Sequence, residues 1–137
     1  MIILEDTPYR ELRFAGAPLP TLKSFDTDGH VYFIGSFSKT LAPGLRTARM
    51  VASEADVERL ALLKLATDTQ NSTINMFAVS LFLDSGAYGP HLERIRAHYR
   101  AKRDHTIAAL EAEMPGDVSF TRPEGGLFLW LTFPNHV

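Results

Sequence analysis

Gly35-Ser36-Phe37-Ser38-Lys39-Thr40-Leu41-Ala42-Pro43-Gly44-Leu45-Arg46, directly after the apolar run Val31-Tyr32-Phe33-Ile34, is the stretch on which the reading of this chain turns. Four β-branched or aromatic residues in a row predict a short, buried strand, which Gly35 is expected to end. Lys39 then falls in a loop or a single helical turn closed by Pro43-Gly44. An amine, two hydroxyls and a guanidinium gathered on one such loop can meet two different ligand groups. An amine forms a Schiff base with an aldehyde. Hydroxyls, backbone amides and an always-charged guanidinium hold a phosphate.

A strand–loop–ligand arrangement of that kind belongs to an α/β protein, and the flanking sequence agrees. Residues 1–4 read as a short buried strand, stopped before Pro8, and residues 46–52 as a weaker strand. Residues 10–30 read as a connecting segment punctuated by Gly16, Pro18 and Pro20, with a turn at Asp26-Thr27-Asp28-Gly29. Ser53 is a good N-cap with Asp56 three positions on, so a helix is expected over about 54–67, with Leu60, Leu63, Ala66 and Thr67 on its inner face. A second helix is expected over 72–84. A long one starts near Pro90, carries the stripe Leu92, Ile95, Tyr99, Thr106 and Leu110, and ends before Pro115-Gly116. Residues 118–120 and 127–133 read as antiparallel strands joined by Arg122-Pro123-Glu124-Gly125-Gly126. Trp130 is expected to fill the core of this small sheet.

Composition narrows the function classes. With 137 residues, 45% hydrophobic and 22% charged, the chain matches an ordinary globular protein. A net charge of −2 gives no electrostatic reason to expect a nucleic-acid or anionic-membrane partner. No apolar run approaches the ~20 residues needed to span a bilayer. The absence of cysteine removes thiolate nucleophiles, thiolate metal sites and disulfides together, and fits a reducing compartment. The basic run Arg94, Arg96, Arg100, Lys102 and Arg103 spreads around its helix and is diluted by Glu93 and Asp104, so it reads as a solvated face. His30, His91, His98, His105 and His136 fall in no tight metal spacing, so no metal site is assigned.

Pyridoxal phosphate combines the aldehyde and the phosphate that the Lys39 loop is equipped to meet. A second motif supplies what its ring needs. Asp6, at the end of the first strand, can pair with a protonated pyridine nitrogen, and Tyr9 can donate to the ring oxygen. Strand ends of open α/β sheets are where ligands bind. A Schiff-base lysine must present a neutral amine, which partial burial and neighbouring cations favour. Asn71, Ser72, Thr73 and Asn75 read as helix-capping residues, and Gly125-Gly126 as a device for close backbone approach.

Glu5-Asp6-Thr7-Pro8-Tyr9-Arg10-Glu11-Leu12 followed by the 36–46 string resembles the fold-type I, pyridoxal-phosphate-dependent aminotransferases of class I/II. Pro123-Glu124-Gly125-Gly126-Leu127-Phe128-Leu129-Trp130 extends the resemblance more weakly. The resemblance implies a partial PLP-dependent transferase fold: the end of a large-domain mixed sheet in residues 1–90, then a linking helix and the start of a small α+β domain in 91–137. It also implies that Lys39 is the Schiff-base lysine and proton shuttle, Asp6 the pyridine-nitrogen partner and Tyr9 the ring-oxygen donor. Ser36, Ser38 and Arg46 would be phosphate ligands. The implied substrates are an amino acid and a 2-oxo acid, in a cytoplasmic homodimer. Relatives carry a glycine-rich phosphate turn before the aspartate and a substrate-carboxylate arginine further on. Neither falls in this chain, so a fragment with little activity of its own is expected. The alternative is the aminotransferase-like effector domain of a GntR/MocR-type transcription regulator, or an inactive fragment. Thr47-Ala48-Arg49-Met50 departs from the family pattern, and it puts an arginine in a strand expected to be buried.

Overall fold

The computed structural model describes residues 1–134. The fold is α/β, and its contacts divide into two compact units: residues 1–8 with 18–89, and residues 9–17 with Pro90 onward. His136 lies outside the described residues.

The first unit is built on a three-stranded mixed sheet, order β1-β2-β3. Strand β1 (Ile3–Asp6) runs parallel to β2 (Val31–Ser36), with Ile3 opposite Val31 and Asp6 opposite Ile34. Strand β3 (Ala48–Val51) is antiparallel to β2. That pairing corrects the expected end of β2: Gly35 faces Arg49 and Ser36 faces Ala48, so the strand continues through the glycine into the serine.

Two carboxylates, Glu5 on β1 and Asp26 on the connecting segment, tie that segment to the parallel pair. Glu5 accepts from the Leu22 and Lys23 amides at 2.8 and 2.9 Å, tying a 3-10 turn (Leu22–Phe25) to β1. Asp26 accepts from the His30 and Val31 amides at 2.9 and 3.0 Å and from Lys23 Nζ at 2.9 Å. This clamp sets the entry into β2, with Gly29 in the turn at φ 77°. The lysine hydrogen bond, reinforced by the Val31 and His30 amides, holds the Asp26 carboxyl well below the usual carboxylate range.

Helices α1 (Glu54–Asp68) and α2 (Thr73–Asp84) follow. Ser53 caps α1 as expected, its Oγ accepting from the Asp56 amide at 3.3 Å. The expected inner face of α1 is not buried: Leu63 is 63% exposed, and Ala66 and Thr67 are exposed with it. Strand β1, expected to be buried, is also mostly exposed. The buried apolar residues of this unit are Val31, Phe37 and Val79. Tyr88 sits edge-on to both Phe37 and Phe82, each at 6.4 Å between ring centroids.

The second unit centres on α3 (Tyr88–Glu113), whose first two residues still belong to the first unit. Helix α3 begins two residues ahead of Pro90. Its buried stripe runs through Leu92 and Ile107, whereas Thr106 is exposed. The stripe agrees with the expected one at Leu92, Ile95, Tyr99 and Leu110, which are buried or half-buried, and departs from it only at Thr106, where the neighbouring Ile107 takes the inward position. Leu12 is fully buried and Phe14 is 4% exposed, so the segment after Tyr9 is a core element of this unit and not a simple connector. Two arginines of the basic run serve this packing. Arg96 Nε donates to the Glu11 carbonyl at 2.7 Å, and Arg103 donates to the Pro123 carbonyl at 2.7 Å while stacking on Phe14.

The small antiparallel sheet is shorter than its apolar pattern suggests: β4 (Ser119–Phe120) with β5 (Leu131–Thr132). Trp130 is 73% exposed and does not fill a core. With two residues per strand, the hairpin presents no face wide enough to cover an indole. Among the described residues, no helix is long and apolar enough to cross a membrane.

Candidate functional site

The parallel register of β1 and β2 places two groups at neighbouring strand ends. Asp6 closes β1. Beyond it, the Thr7 amide and Thr7 Oγ1 both donate to the Ile34 carbonyl, each at 2.9 Å. That double contact fixes the end of β1 against β2 just before Ser36. The strand carboxylate and the serine–lysine turn therefore emerge from the same edge of one sheet, at the carboxyl ends of parallel strands.

The turn has its own internal order. Ser36 Oγ accepts from the Ser38 amide at 3.1 Å, and the Leu41 amide donates back to the Phe37 carbonyl at 2.8 Å, which makes one helical turn around Lys39. Phe37 and Thr40 are buried, while Ser36, Ser38 and Lys39 are half-buried. Phe37 and Thr40, three positions apart on the turn, are thus anchored inward, and the serines and the lysine are left partly accessible. The Phe37 amide donates to the Thr47 carbonyl at 3.2 Å and closes the loop. Arg46 is thereby held at the loop's base, beside the strand that carries Ser36.

Arg46 has left-handed backbone angles, φ 50° and ψ 35°, after the 3-10 turn Pro43–Leu45. For a residue with a Cβ this conformation costs roughly 1–2 kcal/mol and needs outside support. The support comes from side chains read in the sequence as helix caps. Asn71 Nδ2 donates to the Arg46 carbonyl at 3.0 Å, and Asn75 Nδ2 donates to the Leu45 carbonyl at 3.1 Å. Only Ser72 caps α2, its Oγ facing the Asn75 amide at 3.5 Å. Nothing local in the sequence separates an asparagine that caps its own helix from one that reaches a loop twenty-five residues away.

Arg49 is explained by the same sheet. Strand β3 is exposed along its length, and the Arg49 guanidinium lies 5.5 Å from the centroid of the Phe37 ring. The charge stays in solvent while the guanidinium covers an aromatic face.

Tyr9 is placed differently from the other candidates. It belongs to the second unit, where its ring meets Phe128 edge-on at 5.6 Å, whereas Asp6, Ser36, Ser38, Lys39 and Arg46 all belong to the first.

A model of the family described as aminotransferase class I and II matches residues 1–137. The chain is a class I/II aminotransferase-family protein. Among its relatives, aromatic-amino-acid aminotransferase 1 of Thermococcus litoralis is 37% identical over 99% of this chain and 33% of its own length. The kynurenine aminotransferase of Pyrococcus horikoshii, solved in complex with PMP, superposes with a TM-score of 0.94 at 38% identity, over 99% of this chain and 34% of that one. An uncharacterized HTH-type transcriptional regulator of Bacillus subtilis, YdfD, is 37% identical over 94% of this chain and 27% of its own length. The aminotransferase-family chain thus spans about a third of the length of the relatives it matches.

The donor set fits the cofactor suggested by the sequence. An amine, two hydroxyls and a guanidinium on one loop are donors suited to an aldehyde and a phosphate, and a carboxylate at the adjacent strand end is suited to a protonated ring nitrogen.

Proposed function

We propose that this chain carries the cofactor-lysine part of a pyridoxal-phosphate-dependent aminotransferase that moves an amino group between an amino acid and a 2-oxo acid. One observation carries the reading: Lys39 lies on a serine-rich turn at the carboxyl end of β2, beside the strand end that bears Asp6. Family membership and the names of the aminotransferase relatives support it.

Bound pyridoxal phosphate supplies an electrophilic aldehyde and an electron-withdrawing ring. Ser36, Ser38 and Arg46 hold the phosphate; the Arg46 guanidinium does so as a planar, permanently charged donor. The Asp6 carboxylate pairs with the ring nitrogen and keeps it protonated. The Tyr9 hydroxyl is assigned to the ring oxygen. Lys39 Nζ would hold the aldehyde end of the cofactor and, as a neutral amine, would move a proton at the substrate α-carbon. The division into a large-domain part (1–90) and the start of a small domain (91–137), a homodimeric assembly and a cytoplasmic location belong to the same reading.

Borohydride reduction after incubation with pyridoxal phosphate tests it. The expected result is one phosphopyridoxyl group per chain, mapped by mass spectrometry to Lys39 and lost in Lys39→Ala. Labelling spread over several lysines, or undiminished in that variant, sinks the assignment.

A second reading is supported by the similarity to YdfD: the same cofactor part serving as the effector domain of a transcription regulator. A helix-turn-helix segment encoded in the same reading frame ahead of Met1 decides for it, and transaminase turnover by the whole gene product decides against it.

A further inference from the structure

Asn71 and Asn75 reach from the start of α2 to two consecutive carbonyls of the cofactor-side loop, those of Arg46 and Leu45. Both asparagines are half-buried, while the arginine they support is exposed. The amides therefore do not serve the arginine's charge; they fix its backbone. Arg46 is one of only two non-glycine residues with positive φ among the described residues, so its backbone does not hold itself. Thr47 Oγ1 adds a third clamp, donating to the Leu45 carbonyl at 3.0 Å. With both carbonyls pinned, the direction in which the Arg46 side chain leaves the loop is set by α2. One guanidinium N–H donates to the Pro43 carbonyl at 3.1 Å, which aligns the planar fork with its own turn.

We propose that Asn71 and Asn75 are positioning residues for phosphate recognition: they hold Arg46 in the left-handed turn that aims its guanidinium at the cofactor phosphate. This rests on the reading of Arg46 as a phosphate ligand given above. Their effect should therefore appear only for ligands that carry the phosphate. Without the two amides the loop relaxes toward ordinary backbone angles and the guanidinium leaves its place, while the lysine turn, anchored by Phe37 and Thr40, is untouched.

The test compares pyridoxal phosphate with pyridoxal, its dephosphorylated form, by absorbance titration of the full chain and of the variants Asn71→Ala, Asn75→Ala and Arg46→Gly. Alanine removes each donor without adding charge, and at position 75, in the first turn of α2, it is a favourable helix residue. Far-ultraviolet circular dichroism confirms that each variant is folded, and the single substitutions keep one clamp in place. The expected result for either asparagine variant is an approximately tenfold loss of affinity for pyridoxal phosphate, the scale of one hydrogen bond's contribution, with pyridoxal unchanged. Glycine adopts left-handed angles unaided. In an Arg46→Gly background, Asn75→Ala is therefore expected to cost nothing further for either ligand.

Affinity for pyridoxal phosphate unchanged in both asparagine variants overturns the proposal. Equal losses for both ligands overturn it as well, since they mark a general structural role. If the unsubstituted chain shows no preference for pyridoxal phosphate over pyridoxal, or if Arg46→Gly leaves that preference unchanged, the phosphate role of Arg46 itself falls, and the positioning role falls with it.

Discussion

A Cβ placed on Gly125 would lie 2.8 Å from the Cα of Arg13 and 3.0 Å from the Leu12 carbonyl oxygen. Gly125 and Arg13 form an isolated antiparallel bridge, flanked by the Phe14 and Ala15 amides donating to the Glu124 carbonyl and by the Gly126 amide donating to Leu12. The Arg13–Glu124 ion pair lies over the same contact. This clasp is how residues 9–17 become part of the second unit.

Gly125→Ala is accordingly expected to destabilise the chain by about 1–3 kcal/mol, because backbone is the group that must move. Gly116→Ala, where nothing lies within 4 Å of the new Cβ, is expected to stay within about 0.5 kcal/mol. Urea denaturation of the two variants beside the unsubstituted chain checks the contrast, and equal midpoints would falsify the clasp.

Leu12 is the largest fully buried side chain among the described residues. Truncation to alanine leaves a cavity among neighbours that are themselves fixed by the clasp. A loss of about 2–5 kcal/mol is expected from the denaturation midpoint of Leu12→Ala. A loss below 1 kcal/mol would mean that the site collapses freely and that the segment is not a core element.

Asp26 gives the first unit an acid-sensitive point. Its folded-state carboxyl is depressed, chiefly by Lys23 and then by the Val31 amide. The stability it contributes is therefore complete above the unfolded carboxyl's pKa, about 4, and is lost as pH falls below that through the folded value. The melting temperature of the unsubstituted chain is expected to drop on acidification below about pH 4. Asp26→Asn should start lower at neutral pH and show a shallower acid dependence. Parallel acid profiles for the two proteins count against the clamp.

Tyr32 and Asp56 form the opposite, alkaline-sensitive pair. A hydrogen bond to Asp56 raises the Tyr32 phenol above its ordinary value, while Asp56 is lowered by hydrogen bonds from Ser53 first and Tyr32 second. The phenol's contribution is present below the ordinary tyrosine pKa, about 10, and is lost as pH rises through the folded value. In a titration followed by tyrosinate absorbance, one of the four tyrosines should ionise last, and that late step should vanish in Tyr32→Phe. A late step that survives the substitution assigns it to another residue.

Much of this arrangement was legible before any coordinates. The order of strands and helices followed from short-range signals. Ser53 announced the start of α1 by its side-chain oxygen, and Val31–Ile34 announced β2 by its shape. Family membership followed from strings that keep their chemistry in sequence, such as Ser36-Phe37-Ser38-Lys39. Burial was less legible. Leu63 and Trp130 are apolar and sit at expected core positions, yet both are exposed, because apolar character says what a side chain prefers and not what surrounds it. Residue types also left the direction of a polar side chain open. Asn71 and Asn75 could cap a helix or cross to a loop with the same chemistry.

What the sequence alone determined was everything that acts over a few residues: the turn at Asp26–Gly29, the capped helices, and a lysine set between two serines on a strand-ending loop. What only the tertiary structure decided was everything that joins distant residues: Asp6 beside the end of β2, Arg46 braced from α2, and Gly125 against Arg13, whose side chain pairs with a glutamate 111 positions away. Local sterics and hydrogen-bond donors are properties of a short peptide, whereas a contact across such a separation exists only once loop closure has been compensated by the whole set of packed elements around it.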